Sequence, residues 1–135
     1  MIAILDTGPW VALIDRSESR HTKCVDWLKK FSGKLYSTEA VLTEVLCILN
    51  FSINAQCAAL DFVLESVVEI VPSSIESLKK AKNLMKKYAD LPMDYADATL
   101  VCLATETKIE YMVTFDKKDF TIYKLPQKKS FTILP

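Results

Sequence analysis

The chain opens on Ile2-Ala3-Ile4-Leu5, an unbroken apolar run of strand length closed at once by an acid, Asp6. A strand without polar alternation must be covered on both faces, the situation of an inner strand in a parallel sheet. A second run, Tyr111-Met112-Val113-Thr114-Phe115, is likewise followed by an acid, Asp116. Parallel neighbours need crossover connections, and the stretches between the apolar runs carry helical periodicity. The expected fold is therefore α/β: a three-layer α/β/α sandwich on a mainly parallel sheet of about five strands. In open sheets of this kind the site lies beyond the carboxyl ends of the strands, where Asp6 and Asp116 both map.

The other elements follow from local patterns. Thr7-Gly8-Pro9 reads as a turn, with Pro9 suited to the first turn of a helix carrying Trp10, Val11, Leu13 and Ile14. Residues 20–31 space Cys24, Val25, Trp27, Leu28 and Phe31 as an amphipathic helix ending near Gly33, and 35–37 form a brief strand. Thr38 can cap a helix to about residue 51 and Asn54 another to about residue 65, an αα-hairpin whose apolar faces need a partner. Residues 67–71 read as a strand ended by Pro72, after which Ser73 and Glu76 form a capping box for a helix toward Tyr88. A helix over 93–107 follows Pro92, and strands are expected at 111–114 and 131–134. No repeat, linker or low-complexity segment interrupts this order.

At 135 residues the chain has the size of one domain spanning 1–135, and half its residues are hydrophobic, enough for a packed core. Its formal net charge is zero, so no global field draws it to a polyanion, and affinity for nucleic acid must come from local lysines and a metal. Four cysteines without C-x-x-C spacing are expected to be free, buried thiols of a reducing compartment. Lacking a basic leader at the N-terminus and any apolar stretch of about 18 residues, the chain reads as cytoplasmic, with no membrane partner.

Chemistry is carried by acids placed in apolar contexts: Asp6, Glu44, Asp94 with Asp97, and Asp116 with Asp119. Several carboxylates in low dielectric repel one another and take up protons unless a cation joins them. An all-oxygen set without His or Cys suits Mg²⁺ or Mn²⁺ rather than zinc, and such an ion leaves room for a phosphate oxygen and a water. Phosphodiester hydrolysis is the reaction this arrangement favours.

Each acid also has a plainer reading. Asp94 and Asp97 share one helix face, and Asp94 could equally complement the helix N-terminus. The neighbours of Glu44 one turn away are apolar, which points it toward the core side rather than to solvent. Asp6 could start an Asx turn, and Asp119 could be a turn residue beside the site. Thr7 and Thr114 adjoin the acids, where their hydroxyls can orient a carboxylate or satisfy backbone groups. His21, the sole histidine, reads as a solvated residue near a helix start. The lysines at 79, 80, 82, 86 and 87 form a solvated helix face, while Lys117, Lys118 and Lys124 are better placed in sequence for phosphate contacts.

Taken together, Ile4-Leu5-Asp6-Thr7, Thr43-Glu44-Val45, the run from Pro92 through Asp94 and Asp97 to Leu100, and the run from Val113 through Asp116 to Phe120 resemble the PIN-domain ribonucleases. The likeness is strongest to the small VapC-like toxins of toxin–antitoxin pairs, and it runs from end to end. It implies a parallel sheet with helices on both faces, Mg²⁺ or Mn²⁺ held by acids, and endonucleolytic cleavage of RNA. The family's acids fall on Asp6, Glu44, Asp97 and Asp116, with Asp94 as an accessory ligand. It also implies a homodimer and an antitoxin partner, for which the apolar helices between residues 38 and 65 are candidate surfaces. Where many relatives carry a basic residue just before the last acid, this chain has Phe115, which leaves phosphate contact there without a donor. Two other classes compete: a catalytically silent PIN-like module binding RNA or protein, and a phosphatase or phospho-receiver. The latter would want Asp-x-Asp or an acidic pair after the first strand, where Gly8 and Thr7 stand.

Overall fold

The computed structural model describes residues 1–91 and 93–135. Five strands, β1 (Ile2–Leu5), β2 (Lys34–Ser37), β3 (Val68–Ile70), β4 (Tyr111–Val113) and β5 (Thr132–Leu134), form one sheet in the order β3-β2-β1-β4-β5. Every pairing is parallel, with Ile4 opposite Tyr36 on one side and Met112 on the other. The apolar run at the N-terminus is thus the central strand, and Ala3, Ile4 and Leu5 are fully buried.

Among the described residues seven α-helices make the crossovers: α1 (Thr7–Ile14) and α2 (His21–Lys30), α3 (Glu39–Ile48) and α4 (Ile53–Leu64), α5 (Ile75–Lys87) and α6 (Tyr95–Thr107), and α7 (Lys117–Ile122). Crossovers between parallel strands are right-handed, so reversing the direction of travel along the sheet changes the face that the helices cover. The chain moves from β1 to β2 to β3 one way, and from β3 across to β4 and β5 the other way. Accordingly α1 packs with α2, α3 and α4, while α5 packs with α6. The reversal puts the topological switch point between β1 and β4, where their carboxyl ends diverge and a crevice opens.

The helix starts correct several expectations. No turn separates Asp6 from α1: Asp6 itself is the N-cap, and Gly8 and Pro9 lie inside the first helical turn. Ser52, not Asn54, caps α4, and Ser74 with Ser77 forms the capping box of α5 in place of Ser73 with Glu76. Helix α3 ends at Ile48, short of residue 51. Helix α2 begins one residue later than expected and ends at an extended Phe31, so Gly33 is not its cap; neither glycine has a positive φ. Asp119, a candidate turn residue, lies instead in the first turn of α7, a helix that local pattern does not announce. Pro92, expected just before α6, lies outside the described residues.

The thiols are free, as expected, but only Cys24 and Cys102 are buried; Cys47 and Cys57 face solvent on α3 and α4. His21 is partly buried rather than solvated, with Nδ1 2.7 Å from the Ala12 carbonyl oxygen, so the proton sits on Nδ1 and ties α2 to α1. No helix among the described residues is long and apolar enough to cross a membrane.

Candidate active site

Asp6 leaves β1 at the switch point and is only 4 % exposed. Its backbone N–H continues the sheet to the Val113 carbonyl at 3.0 Å, which pins the residue to the end of β4. Oδ1 accepts from the Thr7 N–H at 2.8 Å, and Oδ2 accepts from the Thr114 hydroxyl at 2.7 Å. Burial nonetheless raises its pKa to about 6 against those two bonds, and the charges of Asp116 and Glu44 add to the rise. Thr114, fully buried, also accepts from the Asp116 N–H at 3.0 Å, so one hydroxyl links the first and last acids.

Glu44 projects from α3, half-buried, and its Oε1 accepts from the Thr7 hydroxyl at 3.1 Å. Desolvation is the main reason its pKa is raised; the charges of Asp94 and Asp116 push the same way, against the Thr7 hydrogen bond. Helix α3 is held against α6 by a buried bond between the hydroxyls of Thr38 and Thr99, 2.8 Å apart. Since the Thr99 hydroxyl donates to the Ala96 carbonyl, the Thr38 hydroxyl is the donor in that pair. The bond fixes the helix bearing Glu44 against the helix bearing Asp97.

Asp94 takes the helix N-terminal role that the sequence allowed. It is the exposed N-cap of α6, with Oδ1 accepting from the Asp97 N–H at 2.8 Å, and its charge acts on Glu44, Asp97 and Asp116. Asp97, half-buried, is shifted furthest, to about 8, by burial first and then by Asp94, Asp6 and Asp116. Asp116, exposed just ahead of α7, is raised by partial burial, by Asp119 in the first turn of α7 and by Asp94. The structure therefore brings Asp6, Glu44, Asp94, Asp97 and Asp116 within electrostatic reach of one another, with Asp119 behind Asp116.

None of the ion pairs among the described residues involves these acids, and no group of three or more His, Cys, Asp or Glu side chains among the described residues is drawn together closely enough to hold a metal ion. Like charges gathered in low dielectric repel one another and take up protons unless a cation joins them. The donors are all oxygen, burial and mutual repulsion raise the pKa values of Asp6, Glu44, Asp97 and Asp116, and the apolar wall supplies no countercharge to Asp6 or Asp97. That chemistry fits a hard divalent ion.

Tyr123 and Arg20 escape sequence reasoning, and Phe115 shows in the sequence only as a missing base. The Tyr123 hydroxyl, on a ring fully buried behind α7, makes a long 3.5 Å contact to Asp97 Oδ2, and its pKa rises through burial and then the nearby acids. Arg20, from the loop before α2, places its guanidinium 3.7 Å from the centroid of the Phe115 ring, and its charge opposes the rise of the Asp116 pKa. Phe115, in turn, lies against Gly8. The only signal available for this group is negative: an aromatic stands where a cation is expected. Lys124 is turned away, its Nζ donating to the Thr121 carbonyl at 2.7 Å and to Ser130 Oγ at 3.0 Å, which leaves Lys117 and Lys118 as the free lysines of that group.

A five-stranded parallel sheet with acids gathered at its switch point defines a class of α/β proteins, and the PIN domain model matches residues 3–125: the chain belongs to the PIN domain family. It is 23% identical over 134 residues to Ribonuclease VapC26 of Mycobacterium tuberculosis, an alignment covering 98% of this chain and 99% of that protein. Its fold matches VapC20 of M. tuberculosis, described as a sarcin-ricin loop cleaving toxin, with a TM-score of 0.79 at 21% identity over 85% of this chain and 90% of that one. It also matches a chain of VapBC2 from Rickettsia felis, crystallised with a DNA fragment from its promoter, with a TM-score of 0.70 at 19% identity over 100% of both.

Proposed function

We propose that this chain is a Mg²⁺- or Mn²⁺-dependent endoribonuclease, that residues 1–135 act as one nuclease domain, and that it serves as the toxin of a toxin–antitoxin pair in the cytoplasm. The observation that carries the reading is the convergence on Asp6. A buried carboxylate, fixed by two hydrogen bonds at the end of the central strand, meets the charges of acids from three other segments. Such a cluster is costly to fold without a cation, and a PIN-family chain has a use for one.

Asp6, Glu44, Asp97 and Asp116 would hold the ion, with Asp94 beside Glu44 and Asp97. A divalent ion bound there activates water and stabilises the charge developing on a phosphate. The remaining work falls to this chain's own side chains. Thr114 and Thr7 orient Asp6 and Glu44, and the Thr38–Thr99 bond keeps α3 and α6 in register. The apolar wall behind Asp6 excludes water from the inner side of the site.

The relatives named as toxins or found with antitoxins support a protein partner. So do Ile48, Phe51, Ile53 and Leu64, large apolar side chains exposed on and between α3 and α4, which suit a homodimer or an antitoxin surface. The direct test is RNA cleavage by purified protein. Cleavage should need Mg²⁺ or Mn²⁺, stop with EDTA, and fall by about two orders of magnitude or more in Asp6→Asn and Asp97→Asn. Unchanged cleavage by Asp6→Asn would end the proposal.

A further inference from the structure

The geometry points to Arg20 as the residue that takes up an RNA phosphate at the edge of this site, in place of a basic side chain at position 115. The inference rests on the nuclease reading above and deepens it. It starts from a stack of three groups. A Cβ at Gly8 would lie 2.8 Å from Phe115 Cδ2, so the absence of a side chain there lets the ring settle onto the first turn of α1. The same ring carries the Arg20 guanidinium 3.7 Å from its centroid, within stacking distance for a cation over an aromatic. Glu18 completes the mount: its Oε1 lies 2.9 Å from Arg20 Nε and 3.4 Å from the Arg20 backbone N–H.

This mount has consequences for what Arg20 can bind. A guanidinium has five N–H donors in a planar fork, and only the Nε–H is engaged among the described contacts. The two Nη groups, with four N–H bonds, remain for an oxyanion and match a phosphate bidentately. The side chain is half exposed, so an incoming strand can reach it. Phe115 immediately precedes Asp116, so the stacked guanidinium sits beside the segment that carries that acid, and its charge is felt there. A chain with zero net charge has no general field to draw in RNA, which makes a fixed cation at the rim of an anionic site the more useful. Stacking on Phe115 also removes much of the rotamer freedom that an exposed arginine would otherwise lose on binding.

The test uses full-length protein, a labelled mixed-sequence oligoribonucleotide with Ca²⁺ for binding, and the same RNA with Mn²⁺ for cleavage. Arg20→Ala should melt within about 2 °C of the parent, since an exposed side chain changes stability little. It should bind RNA about tenfold more weakly, the scale of a lost charge-assisted contact. The slope of log Kd against log salt should fall by about 0.7, one single-strand phosphate contact. Arg20→Lys should recover only part of the affinity, because a point charge neither stacks nor forks. Phe115→Leu, which keeps Arg20 but removes its platform, should raise KM more than it lowers kcat. If the parent binds and cleaves RNA while Arg20→Ala shows the same Kd and salt slope, the inference is overturned and the nuclease reading stands. If the parent neither binds nor cleaves, the nuclease reading fails and this one with it.

Discussion

Asp97 carries the largest conflict in the molecule, an acid half-buried among other acids with its pKa pushed up to about 8. The sign of its effect on stability follows directly. An unfolded aspartate titrates near 4, so between that value and about 8 the folded chain binds the proton that the unfolded chain releases. In the metal-free protein this contribution is full below pH 4 and is lost as the pH rises through 8. With EDTA present, the melting temperature should therefore fall from pH 5 to pH 8, and Asp97→Asn should flatten that fall; a parent that melts higher at pH 8 contradicts the site. Thr114 sets a second test at this scale, because its hydroxyl lowers the Asp6 pKa that burial raises. Thr114→Val should move the acid limb of the rate profile to higher pH and cost about tenfold to a hundredfold in kcat/KM, as losses of groups that orient metal ligands do.

Among the elements, the helix starts show how far local pattern reaches. The capping residues of α4 and α5 lie one or two positions from those the local pattern favours, because Ser, Asn and Glu near a helix start can all bond free N–H groups. Which one does so is settled by where the preceding strand or turn delivers the chain. Short α7 was not legible, since six residues bury little of an apolar face and no periodicity can show. The Thr38–Thr99 bond is the element-scale joint of the site. Thr38→Ala removes both the α3 cap and that joint, and should cost about 2 kcal/mol in urea unfolding while weakening metal binding. A loss of stability without a change in metal affinity would separate the joint from the site.

For the whole molecule, the proposed ion would make metal binding and folding one equilibrium. Mn²⁺ should raise the melting temperature in proportion to RT ln(1 + [Mn²⁺]/Kd), and more at pH 8 than at pH 6, because the ligands must shed their protons first. No shift at millimolar Mn²⁺ would favour the catalytically silent module. The apolar side chains of α3 and α4 predict association: sedimentation should give a mass near twice 15.3 kDa, and Phe51→Lys with Leu64→Lys should return it to one chain without lowering the melting temperature much.

Much of this molecule could be read from neighbouring residues alone. Apolar runs marked strands, and the acids closing two of them marked the end of the sheet where chemistry belongs. Periodicity along a chain reports which face of an element is buried, and so it reveals helices and strands. It is silent about which distant groups meet. The exposure of Cys47 and Cys57, the contact of Tyr123 with Asp97, and the seating of Arg20 on Phe115 over Gly8 were all decided by strand order and helix packing. Those depend on the burial of the entire core, which no local stretch contains.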